Sequence, residues 1–175
     1  AARFHAVFQR VEEMRLVGHP PARTGTGTFV ATMLLSGAAG TVAFDLWGQA
    51  IAPWLGLGNL APVGLARSLL GSLGLPNGAP AGNFMHLFLV GLVAYPLGWM
   101  LIARPILARV LPSLGWIAGS AIYGFGLWIF AIGGVTAVAG LPFFLGFTTI
   151  AWVALVGHVL YGIVQVATLE WLARR

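Results

Sequence analysis

Three ionisable side chains, Asp45, His86 and His158, stand inside runs of otherwise apolar sequence. Such groups are expensive in a membrane and are the first candidates for function in a chain of this kind. Asp45 lies about six residues, and His86 two or three, from the same end of their respective runs, so at 1.5 Å per residue both fall within roughly 10 Å of one boundary and can pair directly. An Asp–His pair at that depth pins two helices together, or it admits protons or a small polar ligand under the control of a histidine with a reference pKa of about 6.5. His158 is expected deeper, about 14 residues or roughly 20 Å into its run. It heads a polar stripe with Tyr161, Gln165 and Thr168 at offsets of three, seven and ten. Turned toward lipid, that stripe would leave several polar groups unsatisfied at kilocalories each, so it must face protein. It reads as an interhelical hydrogen-bond seam, as a proton path or substrate cavity, or as a tetrapyrrole site.

The tetrapyrrole alternative can be narrowed. A bis-His haem needs both imidazoles at one depth, whereas His86 and His158 are expected to differ by roughly 10 to 15 Å. A haem or (bacterio)chlorophyll with a single axial ligand needs only His158, and Ala154 one turn earlier is small enough to admit a macrocycle. No nucleophile–base pair, phosphate loop, metal cluster or dinucleotide fingerprint is present, so no catalytic residue, no metal and no enzyme activity are expected. We expect lipid to be the only bound group, with haem or (bacterio)chlorophyll on His158 as the alternative.

Elements able to position these residues follow from composition. Hydrophobic residues make up 59% of the 175-residue chain and charged residues 7%, with mean hydropathy +0.92, far from the quarter or so of charged residues usual in soluble domains. The sixty residues from Val110 to Leu169 contain no Asp, Glu, Lys or Arg, which is two spans' worth of lipid-solvated helix broken at Gly140-Leu141-Pro142. The pattern predicts a single all-α transmembrane domain, a four-helix bundle with spans at 29–51, 84–103, 114–138 and 144–172. Pro96 is expected to kink the second span. An interfacial amphipathic helix is expected over 1–18. Pro62 followed by Leu65, Leu69 and Leu73 predicts a short helix in the connecting segment 52–82.

Eight of the nine arginines (Arg3, Arg10, Arg15, Arg23, Arg104, Arg109, Arg174, Arg175) fall on one side of this arrangement and only Arg67 on the other. The positive-inside rule then predicts that the chain's two ends are cytoplasmic. A net charge of +5 therefore reflects topology, and no nucleic-acid partner is expected. Arginine without lysine, with abundant Ala, Gly and Leu, fits a GC-rich bacterial source. The spacings Ser36-x-x-x-Gly40 and Gly115-x-x-x-Gly119, and the series Gly119, Gly126, Gly133, predict close helix contacts.

Tyr123-Gly124, Leu127-Trp128, the Gly140-Leu141-Pro142 turn and Gly157-His158-x-x-Tyr161-Gly162 together resemble the bacterial inner-membrane proteins related to YagU. The resemblance covers about the last 60 residues and implies a small multi-helix inner-membrane protein, with no settled activity to carry onto His158 or Tyr161. The leading expectation is a non-catalytic accessory subunit of a larger bacterial inner-membrane complex, respiratory or photosynthetic, whose partners are lipid and other transmembrane subunits. The alternatives are a small transporter or proton conductor built on Asp45, His86 and the His158 stripe, and a tetrapyrrole-binding protein.

Overall fold

The structure is a computed structural model that describes residues 25–174; the amphipathic segment expected over 1–18 lies outside them. Four long apolar helices dominate: α1 (Thr26–Trp54), α3 (Ala79–Val110), α4 (Trp116–Val138) and α5 (Thr149–Leu172), each long and apolar enough to cross a membrane. A short helix, α2 (Pro62–Ser72), with proline in its first turn, lies between α1 and α3. There is no strand among the described residues. The chain is a multi-pass membrane protein of the all-α class.

Helix α5 is the centre of the bundle, packed on α1 along one side and on α4 along another, while α3 lies against α1. Half of the most apolar window of α5 is buried, against 17% of that of α3. The helices alternate in direction, so Arg104, Arg109 and Arg174 share one end, here the basic end, and Arg67 marks the other. Helix α2 packs on the start of α3 and touches the end of α4, held by the Arg67 Nε–H donating to the Asn77 carbonyl at 2.8 Å.

Pro96 shapes α3. Proline has no N–H and its ring crowds the carbonyl four residues earlier, and the helix is widened on both sides of it: i→i+5 turns over Phe84–Ala94 and Trp99–Ala103 flank the segment Tyr95–Gly98. In lipid, every carbonyl released by such a change needs another partner.

The α4–α5 connection departs from expectation. Phe143–Phe147 forms a tight turn rather than the start of a span, with Phe144, Leu145 and Phe147 at φ of 48°, 51° and 53°. Left-handed backbone costs roughly 1–2 kcal/mol for each such residue. Aromatic packing opposes that cost: the Phe144 ring lies 4.7 Å from Trp128 and stacks on Phe147 at 5.3 Å. Gly133 makes the room, since a Cβ there would sit 2.8 Å from the Phe144 ring. The last span consequently begins at Thr149, not at Phe144.

Candidate functional site

The observed helix ends change the depths of the three ionisable residues. Helix α1 runs on to Trp54, α3 begins at Ala79 and α5 begins at Thr149. Asp45, His86 and His158 thus stand nine, seven and nine residues from the Arg67 end of their helices, or about 10 to 14 Å. His158 is shallower, and Asp45 and His86 deeper, than their spacing alone predicted. The histidines are not offset by roughly 10 to 15 Å: both rings contact one residue, Phe44, with centroids 6.1 Å (His86) and 4.9 Å (His158) from its ring.

Toward the Arg67 end of this layer, His86 Nε2 meets Asp45 Oδ1 at 3.0 Å, and the Gln49 amide donates to the same oxygen at 2.8 Å from one turn along α1. The pair joins α1 to α3. Its side chains keep 25% (Asp45) and 13% (His86) of their surface, so the site is reachable from outside the bundle.

On the inner side of Phe44 the ring of His158 is buried. Its Nδ1 lies 2.7 Å from the Ala154 carbonyl; donating there leaves Nε2 as the acceptor of the neutral ring. Tyr95 stands 6.3 Å from His158 and 5.3 Å from Tyr161, centroid to centroid. Tyr161 donates its hydroxyl to the Gly91 carbonyl at 2.7 Å. Tyr123, on α4, donates to the Tyr95 carbonyl one turn along α3. Both tyrosines therefore bind the irregular backbone around Pro96. Two tryptophans act similarly on α5, with Trp47 Nε1–H donating to the Val153 carbonyl and Trp128 Nε1–H to the Ala151 carbonyl, each at 2.8 Å.

Gln165 is unlike the others. It is fully buried (0% exposed), and neither Oε1 nor Nε2 has a hydrogen-bond partner. An unsatisfied buried polar group costs about 1–3 kcal/mol. Thr168 departs from the expected stripe: it is only half-buried and donates to its own helix at the Val164 carbonyl, 2.8 Å away. Ten residues past His158 it points about 80° away around the helix, among the outward-facing residues Val164, Ala167 and Trp171.

The glycine expectations are met only in part. Gly40 packs on the Tyr161 ring, whereas Gly119 faces Trp99 and Leu107, Gly133 faces Phe144, and Gly115 and Gly126 face open space. Gly119, Gly126 and Gly133 do not form one seam. The close crossings are elsewhere: a methyl group on Gly124 would meet the backbone of His158 and Val159, one on Gly162 the backbone of Ser120 and Gly124, and one on Gly37 the backbone of Gly91 and Leu92. Gly124 and Gly162 belong to the two Tyr-Gly pairs of the sequence.

Comparison of the chain with protein-family models, curated proteins and solved structures gives no match to any of them.

Proposed function

We propose that this protein is a non-catalytic accessory subunit of a larger bacterial inner-membrane complex, oriented with its basic end toward the cytoplasm, as the positive-inside rule requires. One observation carries the reading. Four aromatic side chains hold helices to one another through polar atoms, Tyr161 and Tyr123 on α3, Trp47 and Trp128 on α5, and glycine crossings close the middle at Gly37, Gly124 and Gly162. Such a bundle is tied together internally, and what it offers to others is its outer surface. Large apolar side chains line that surface on α4, among them Ile122, Phe125, Ile129 and Phe130, beside Gly126 and Gly134. In lipid, helix association relies on close backbone approach and packing at small residues, which makes this face of α4 the docking face. A photo-crosslinking residue placed at Phe130 in the native membrane should yield one discrete adduct with a different membrane polypeptide. Adducts only to lipid or to a second copy of the chain would overturn the reading.

A second reading, a proton conductor or small transporter, draws support from the half-buried Asp45–His86 pair and the unpartnered Gln165 amide. Reconstituted protein should then carry a proton or solute flux that His158→Ala abolishes, and an absence of flux from wild-type protein would remove it.

A further inference from the structure

Gln165 has an amide that can donate two hydrogen bonds and accept others, and it is enclosed on every side. Helix register identifies its surroundings. Along the antiparallel α1–α5 contact, Gly157 faces Phe44 and Trp47, and Gly40 faces Tyr161; one turn further brings Ser36 level with Gln165. Along α4–α5, Gly124 faces His158 and Gly162 faces Ser120, so Ser120 lies one turn from that level on the other side, on the N-terminal turn over which the Gln165 side chain leans. Both serines are fully buried. Each hydroxyl donates to its own preceding turn, Ser36 to the Met33 carbonyl at 2.9 Å and Ser120 to the Ile117 carbonyl at 2.8 Å. Their proton is used, and their oxygen lone pairs remain free to accept.

We propose that Gln165, Ser36 and Ser120 form an enclosed water-binding site at the centre of the bundle. A site closed on all sides by helices admits only a ligand of water's size, and three polar side chains from three helices supply the two to four partners that a buried water requires. The Gln165 amide donates to and accepts from the bound water, which in turn donates to a serine oxygen. The three central helices α1, α4 and α5 are thereby joined to one another, whereas the tyrosines tie α5 and α4 to α3. This inference goes beyond the proposed function and is independent of it.

Hydroxyl-radical footprinting by a synchrotron pulse tests it, because radicals generated from a bound water oxidise the side chains beside it even where bulk solvent does not reach. Tyr161, one turn from Gln165, and Met33, one turn from Ser36, are the reporters; Trp128, equally buried but packed on Phe144 toward the Arg67 end, is the control. In wild-type protein Tyr161 and Met33 should be oxidised several-fold faster than Trp128 after correction for intrinsic reactivity, and Gln165→Leu should bring both down to the control rate. Oxidation of the reporters no faster than Trp128 in wild-type protein overturns the proposal by itself, whether or not the variant folds. Rates unchanged in a folded Gln165→Leu protein overturn it equally.

Discussion

The Tyr161 hydroxyl donates to the Gly91 carbonyl at 2.7 Å across the bundle, and the backbone of α3 explains why that carbonyl is available. In the widened turns before Pro96, the Tyr95 N–H bonds to the Val90 carbonyl. The next N–H in register would serve Gly91, but it belongs to Pro96 and does not exist. Tyr161 supplies from another helix the donor that proline withholds. Tyr161→Phe should therefore cost about 1–3 kcal/mol, the penalty for orphaning a buried acceptor. Tyr123→Phe should cost nearer about 0.6 kcal/mol, the average for an intramembrane hydrogen bond, because the Tyr95 carbonyl also receives the Trp99 N–H. Reversible unfolding in mixed micelles measures both, and equal costs would contradict the explanation.

The crossing of α4 and α5 gives a second prediction. Gly124→Ala places a methyl against the backbone of His158 and Val159, and Gly126→Ala, two residues away, places one in open space. The first should destabilise by about 1–3 kcal/mol, the usual cost of overpacking. The second should be neutral or slightly stabilising, since alanine is a better helix former than glycine. A reversed order in the same unfolding assay would mean that α4 is rotated about its axis relative to the arrangement described.

These two glycines also mark where the sequence stops being informative. The spans were legible because long windows without charge are solvated only by lipid, and the Asp45–His86 pairing was legible because two ionisable residues at similar depth have few alternatives. Which glycine faces inward was not. A helix apolar on all sides lacks the polar face that orients an amphipathic one, so Gly124 and Gly126 look alike until their neighbours are known. Depth failed for a different reason: Phe143–Phe147 is as apolar as the helix it precedes, and only its left-handed backbone removes it from the span.

That left-handed turn makes an unusual ordering testable. At position 145, φ is 51°, a region that asparagine tolerates and that β-branched residues strongly avoid. Leu145→Val should destabilise by about 1 kcal/mol or more, the order of the left-handed penalty, and should be worse than Leu145→Asn. Hydrophobicity alone predicts the opposite ranking, and finding it by thermal denaturation would show that the turn is not left-handed.

The Asp45–His86 contact at 3.0 Å should appear as an energetic coupling. In a double-mutant cycle with Asp45→Asn and His86→Gln, we expect about 1 kcal/mol, within the range for partly exposed ion pairs. The same cycle on Asp45 and His158, which Phe44 separates, should give a coupling close to zero. Comparable couplings for the two pairs would indicate a continuous polar connection past Phe44 and would favour the conducting reading.

Whether the bundle is a subunit of something larger can be read from native mass spectrometry of the protein ejected straight from its own membrane. We expect a stoichiometric assembly in which this chain is joined to at least one different transmembrane polypeptide, and which loses the chain when Phe125 and Phe130 on the outer face of α4 are both replaced by alanine. A spectrum containing only the lone chain or its homo-oligomers with lipid, unchanged by those substitutions, would contradict it.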